Sequence, residues 1–155
     1  MERPDRDRWL MTIAHLVAAR GTCPRAKVGA LLVKERRIIS TGYNGSAPGE
    51  SHCLDVGCHL NEAGYCETTI HAEVNCLAQA ARLGISTWGT TLYSTYSPCL
   101  PCAKLLLSAG VITLVYHHKY HDLSGLVYMF SSSQCDPLEI GSLLELLNES
   151  NYDHT

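Results

Sequence analysis

The sequence lacks a long apolar run, a basic leader and an excess of positive charge. None of its apolar stretches approaches the ~20 residues that cross a bilayer, and its first residues lack the basic start and apolar segment of a signal peptide. These two absences predict a cytoplasmic protein with no membrane partner. The formal net charge of -3 argues against a basic surface that binds nucleic acid irrespective of sequence, so we expect no nucleic-acid partner.

Internal repeats, low-complexity tracts and linkers are also missing, which predicts one domain over residues 1–155 with a disordered tail from about residue 150. The chain has 155 residues, 46% of them hydrophobic, which is enough to bury a core. Apolar spacing and turn residues predict helices over 5–20, 71–83, 99–109, 123–132 and 143–147, and strands over 28–33, 37–43, 90–95, 111–116 and 137–140. This order predicts an α/β protein whose sheet is covered by helices.

Two short motifs carry the side chains of a metal site. The first is His71-Ala72-Glu73, at the start of a predicted helix, and the second is Cys99-Leu100-Pro101-Cys102, which follows Pro98. One imidazole and two thiolates leave a tetrahedral zinc with one position open for water. Glu73 need not be a ligand, and a carboxylate beside that water is suited to carry its proton.

The spacing also predicts where the zinc lies. Residues two apart do not share a helix face, so His71 and Glu73 converge on an ion only beyond the N-terminal end of their helix. Cys99 and Cys102 do share a face, and the dipoles of both helices favour thiolates there. A CxxC pair alone is more typical of a closed structural site. The added histidine, glutamate and proline favour a catalytic one.

A second group of cysteines lies in and near the long predicted loop over 44–69. In a reducing compartment, closely spaced cysteines are read as metal ligands before disulfides. We therefore predict a second, structural zinc that fixes the loop through four cysteine ligands, with His52 as the alternative to Cys23. Those ligands are Cys23, Cys53, Cys58 and Cys66. The competing interpretation is a set of scattered, reduced thiols.

With these residues placed, the chain resembles the deoxycytidylate (dCMP) deaminases, especially the bacterial and phage type with a second zinc. The resemblance runs from about Leu10 to His121. It rests on Thr22-Cys23-Pro24-Arg25, Val28-Gly29-Ala30, Thr41-Gly42-Tyr43-Asn44-Gly45, the loop cysteines, Thr69-Ile70-His71-Ala72-Glu73-Val74-Asn75 and Ser97-Pro98-Cys99-Leu100-Pro101-Cys102. It implies a three-layer α/β/α cytidine-deaminase-like fold, with a central mixed five-stranded sheet covered by helices.

The resemblance also implies hydrolysis of dCMP to dUMP and ammonia, which supplies dUMP for dTTP synthesis. Many members of the family are homohexamers, activated by dCTP and inhibited by dTTP at a site between subunits. That site would lie near the Gly-Tyr-Asn-Gly motif, where Gly42, Tyr43 and Gly45 are the corresponding residues.

The family's sugar contact corresponds to Asn44, and its aromatic residue near the base corresponds to Tyr120. From the residues alone, Asn44 is equally suited to capping a turn, and Tyr120 to packing as a half-buried aromatic. Arg25 is the candidate phosphate contact because a planar guanidinium suits a terminal phosphate, although it also fits an ordinary surface position. The remaining predicted substrate contacts are Ala72, Tyr96 and Ser97.

Other substrates and one other class of protein remain open at this point. Within the enzyme class, the alternatives are another cytosine nucleotide (dCTP or CMP), free cytidine, or an adenosine in tRNA. The tRNA substrate would call for a basic flank, which this chain lacks. Outside the enzyme class, the alternative is a non-catalytic zinc module that binds nucleotides. Glu73 argues against it, because a structural site needs no carboxylate beside three ligands.

Overall fold

The structure, a computed structural model, describes residues 3–140. The helix predicted over 143–147 and the tail predicted from about residue 150 lie outside the described residues. Among residues 3–140, no helix combines the length and the apolarity that crossing a bilayer requires.

Helices and strands alternate along the described chain much as the sequence predicts. The helices are α1 (Arg6–Ala18), α2 (Cys53–Val56), α3 (Ala72–Arg82), α4 (Leu100–Ser108) and α5 (Ser124–Phe130). The strands are β1 (Gly29–Lys34), β2 (Arg37–Tyr43), β3 (Thr90–Tyr96), β4 (Val111–His118) and β5 (Asp136–Glu139). Helix α2 was not predicted, because its four residues are too few to show a helical period.

The strands form one mixed five-stranded sheet in the order β2-β1-β3-β4-β5. Strand β1 pairs antiparallel with β2 and with β3, whereas β4 pairs parallel with β3 and with β5. The parallel pairs are connected by α4 and α5, as crossover connections require. The predicted α/β class with a mixed sheet is confirmed.

The core lies on both faces of the sheet because side chains alternate along each strand. On β1, Leu31 and Val33 pack with Leu10 and Met11 of α1. On the opposite face, buried side chains of β1, β3 and β4 pack against α3, α4 and α5. Residues 3–140 therefore form three layers, with α1 on one face of the sheet and α3, α4 and α5 on the other.

Two glycines let helices approach the sheet closely. A Cβ on Gly29 would lie 2.1 Å from the carbonyl oxygen of Ala14 in α1, and a Cβ on Gly42 would lie 2.3 Å from that of Ala72 in α3. Helix α3 is also tied to β2 by the Ser40 hydroxyl, which donates to the Cys76 carbonyl at 2.8 Å. The start of α3 is thus seated directly on the sheet.

The long loop between β2 and α3 is closed at its base by backbone pairing. Gly45 N–H donates to the Ile70 carbonyl at 3.1 Å, and Ile70 N–H donates back to the Gly45 carbonyl at 2.9 Å. His71 follows directly on this pair.

Candidate active site

The three predicted ligands of the catalytic zinc meet between two helix N-termini. His71 is the N-cap of α3, Cys99 is the N-cap of α4, and Cys102 lies in the first turn of α4. Pro101, rather than Pro98, occupies that first turn, where its missing N–H has no helical partner to lose. The arrangement follows from two strand-to-helix connections that end on the same side of the sheet.

The distances within this group fit a tetrahedral zinc. His71 Nδ1 lies 3.4 Å from Cys99 Sγ and 3.5 Å from Cys102 Sγ. Bond lengths of ~2.0–2.1 Å to nitrogen and ~2.3 Å to sulfur place two tetrahedral ligand atoms about 3.5 Å apart. The residues present therefore suit Zn²⁺ in kind and in spacing.

Glu73 lies beside this group and is almost completely buried. Burial raises the pKa of its carboxyl group to about 7, despite the opposing influence of its own backbone N–H and of His71. The pKa of the Cys99 thiol is lowered to about 4, because Cys102 and His71 donate hydrogen bonds to it, whereas the same hydrogen bond with Cys99, together with burial, raises the pKa of Cys102. The carboxyl group of Glu73, which can exchange a proton near neutral pH, thus lies close to the Cys99 thiol, which favours the thiolate form.

Glu73 and Cys99 both line a cavity of about 360 Å³, a volume within the usual range for small-molecule sites. All six predicted substrate contacts lie on its wall, together with the zinc ligands His71 and Cys99. The six are Arg25, Asn44, Ala72, Tyr96, Ser97 and Tyr120. The structure therefore gathers around one cavity residues that are up to 95 positions apart in the sequence.

Several of these side chains also hold the wall of the cavity together. Asn44 Oδ1 accepts from Val28 N–H, and its Nδ2 donates to the Ala26 carbonyl, both at 2.8 Å. Ser97 Oγ accepts from the backbone N–H of Tyr120 at 2.8 Å. Asn44 thus clamps the turn before β1, which is the capping role the sequence left open.

Arg25 lies at the exposed side of the cavity, where its Nη1 donates to the Gly64 carbonyl at 2.8 Å. Two aromatic residues of this wall, Tyr65 and His121, were missed by the sequence reasoning. Their rings stack with centroids 6.4 Å apart. The only sequence signal was position, since each adjoins a residue already singled out, namely Cys66 and Tyr120.

The second cysteine group forms in the long loop, next to the first. The sulfur atoms of Cys53, Cys58 and Cys66 lie within 4.8 Å of one another. Cys23 joins them through Cys58, with the two sulfur atoms 3.8 Å apart. His52, the predicted alternative ligand, is exposed and is not part of this group.

The three residues predicted to lie at an effector site, Gly42, Tyr43 and Gly45, each contact the start of α3 or the residue just before His71. Gly42 faces the first turn of α3, and Gly45 pairs with Ile70. The carbonyl of Tyr43 accepts from Asn75 Nδ2 at 2.8 Å. All three therefore contact the segment that carries the first zinc ligand.

Comparison with known proteins identifies the family. The model of the cytidine and deoxycytidylate deaminase zinc-binding region matches residues 4–118.

The chain belongs to the cytidine and deoxycytidylate deaminase family.

The chain carries both motifs described above within the matched zinc-binding region. Among its relatives is ComE operon protein 2 of Bacillus subtilis, which is 42% identical over 120 residues, covering 77% of this chain and 63% of the relative. The chain thus spans less than two thirds of that relative's length. The deoxycytidylate deaminase of Mycobacterium phage D29 is 37% identical over 127 residues, covering 75% of this chain and 97% of the relative.

A deaminase of known structure has the same fold. The dCMP deaminase of cyanophage S-TIM5, solved in complex with dCMP and dUMP, superposes with a TM-score of 0.79 and 29% identity. The match covers 90% of this chain and 100% of the phage chain. The agreement confirms the three-layer fold predicted for this family.

Proposed function

We propose that this chain hydrolyses dCMP to dUMP and ammonia. The observation that carries the proposal is the buried carboxyl group of Glu73, which lines the same cavity as two members of the zinc-fitting triad, His71 and Cys99, and as the six predicted substrate contacts. The relative from phage D29 is named a deoxycytidylate deaminase, and the S-TIM5 structure holds dCMP and dUMP. These names support the same substrate for this chain.

Glu73 is the proposed proton carrier. Bound zinc supplies a Lewis acid that makes water a better nucleophile at neutral pH. Hydrolysis adds water at the amino-bearing carbon of the base and releases ammonia, so one proton of the water has to reach the ring nitrogen and the other has to reach the leaving amino group. Burial brings the pKa of Glu73 to about 7, which suits a group that accepts and returns a proton near neutral pH.

We assign different residues of the cavity wall to the base, the sugar and the phosphate of the nucleotide. The proposed contacts to the base are residues that line the cavity together with His71 and Cys99, namely Ala72, Tyr96, Ser97 and Tyr120. Asn44 is the proposed sugar contact. Its clamp hydrogen bonds use one lone pair and one amide hydrogen, which leaves one of each for substrate.

Arg25 is the proposed phosphate contact. Its guanidinium keeps four further N–H donors after the bond to Gly64, and it lies on the exposed side of the cavity. A terminal phosphate can reach this position without being buried.

The test is ammonia release from dCMP, CMP, dCTP, deoxycytidine and adenosine by the zinc-loaded chain, with Glu73→Gln as its matched control. We expect dCMP to be the preferred substrate. The glutamine variant should keep its zinc and lose turnover by about 10²–10⁴-fold, because it cannot carry a proton. Equal efficiency with deoxycytidine would contradict phosphate recognition, and full activity of the variant would contradict the role of Glu73.

We also propose a second zinc at Cys23, Cys53, Cys58 and Cys66. The sulfur separations of 3.8 Å and 3.6 Å within the two closest pairs support it, because two thiolates on one tetrahedral zinc lie about 3.7 Å apart. Elemental analysis of the metal-loaded chain should give at least two zinc ions per chain. A ratio near one would contradict the second site.

Regulation and assembly are proposed on the family resemblance. We infer a cytoplasmic homohexamer that dCTP activates and dTTP inhibits near Gly42, Tyr43 and Gly45. Light scattering measures the assembly, and initial rates with each triphosphate measure the regulation. A monomer, or rates that neither triphosphate alters, would contradict this part of the proposal.

A further inference from the structure

Three histidines outside the catalytic cavity meet where α1 packs near the end of β4. They are His15, His117 and His118, and one ring nitrogen from each lies within 4.8 Å of the others. His15 Nε2 and His117 Nδ1 are 2.7 Å apart. The ring centroids of His117 and His118 are 3.7 Å apart, and His15 stands edge-on to both rings.

The arrangement is unusual for the end of a strand. Successive side chains of a regular strand point to opposite faces. His117 and His118 are successive residues of β4, yet their rings stack with an interplanar angle of 26°. The end of β4 therefore departs from regular alternation in a way that brings both imidazoles to His15.

We propose that His15, His117 and His118 bind one divalent transition-metal ion of the imidazole-preferring class, such as Zn²⁺, Ni²⁺ or Co²⁺. Three imidazoles form a known ligand set for such ions and leave the remaining position to water. The site is separate from both cysteine groups and does not depend on the function proposed above.

One known separation has to change if an ion binds. Two nitrogens on one tetrahedral zinc lie about 3.3 Å apart, so the 2.7 Å contact between His15 and His117 has to lengthen by about 0.6 Å. The proton between the two nitrogens moves to a ring nitrogen that faces away from the ion, so each imidazole ligates in its neutral form.

The site adjoins the rim of the catalytic cavity. The backbone carbonyl of His118 accepts from Ser97 N–H at 2.8 Å, and the ring of His118 lies 5.2 Å from that of Tyr96. Both partners line the cavity. An ion held here would connect α1 to the strand that continues into the cavity wall.

The experiment is a titration of the full chain, with its cysteine sites already loaded with zinc, by Ni²⁺ in equilibrium dialysis and by Co²⁺ in absorption spectroscopy. We expect one additional ion per chain and a Co²⁺ spectrum without thiolate charge transfer. His117→Gln should weaken this binding by at least about tenfold, since loss of a ligand costs no less than loss of a group that orients one. The matched control is His59→Gln, an exposed histidine of the loop, which should bind as the wild type does.

Three results would overturn the proposal. The first is no additional ion, and the second is affinity in His117→Gln equal to that in His59→Gln. The third is a thiolate band on Co²⁺ addition, which would assign the metal to cysteines. Retention of the original zinc shows that each variant is folded. If His117→Gln loses it, His118→Gln, at an exposed position, provides the same comparison.

Discussion

Gly42 connects the packing of the fold to the geometry of the active site, and replacing it with alanine tests that connection. The added Cβ would lie 2.3 Å from Ala72 O and 2.4 Å from Cys76 N, where ordinary contacts begin near 3.4 Å. The first turn of α3 therefore has to retreat from β2 by about 1 Å, and a displacement of that size can cost on the order of 10²-fold in rate. Ala72 stands between His71 and Glu73, so both move with it.

We expect Gly42→Ala to lower kcat/KM for dCMP by about 10²-fold and to lower the free energy of unfolding by about 1–3 kcal/mol through overpacking. Ammonia release and urea denaturation measure the two effects, at a temperature where circular dichroism shows a folded chain. The matched control is Gly84→Ala, at the other end of α3, where φ is +67° and no atom lies within 4 Å of the new Cβ. Backbone strain there should cost about 1–2 kcal/mol of stability and leave kcat/KM unchanged.

Wild-type kcat/KM in Gly42→Ala would refute the packing argument. An equal loss of rate in Gly84→Ala would also refute it, because the loss would then follow stability rather than position. If Gly42 acts instead through an effector site, alanine should change the response to dCTP or dTTP and leave the rate without effectors intact. The same assay, run with and without each triphosphate, separates the two roles.

Three further changes test other parts of the structure. Cys58→Ser should remove one zinc per chain and expose the long loop to proteolysis; unchanged metal content would show that this thiol is no ligand. Asn44→Asp removes the donor to the Ala26 carbonyl and should lower stability by about 1–3 kcal/mol, which urea denaturation would detect; wild-type stability would show that the clamp is dispensable. Gly125→Ala places a Cβ 2.1 Å from the carbonyl oxygen of Pro98 and 2.7 Å from that of Cys99, and it should reduce zinc retention under a chelator. Zinc retention equal to that of the wild type would show that α5 does not support the metal site.

The residues of the candidate metal site could be singled out from the sequence because their spacing is a local property. The spacing within His71-Ala72-Glu73 and within the CxxC motif predicts both the chemistry and the helix ends that present it. The alternation of apolar residues likewise predicts the strands, and their order predicts the class of fold. Boundaries moved by a few residues, as when β4 proved to continue to His118.

What could not be predicted depends on contacts between distant segments. Tyr65 and His121 stack across 56 positions of sequence, and His15 meets His117 across 102. Neither pairing leaves a period or a motif in the chain. The close approach of Gly42 to α3 could not be predicted either, since a glycine in a strand indicates a bend or a bulge as readily as a close contact.

The paired backbone hydrogen bonds between Gly45 and Ile70 fix the two ends of the long loop, so the position of His71 does not depend on how long the loop is. A segment inserted between those two residues, or deleted from between them, would leave both ends of the loop where they are. We therefore expect this chain to accept loops of different length and composition between Gly45 and Ile70, with a different cavity wall in each case, while His71 keeps its position relative to the sheet.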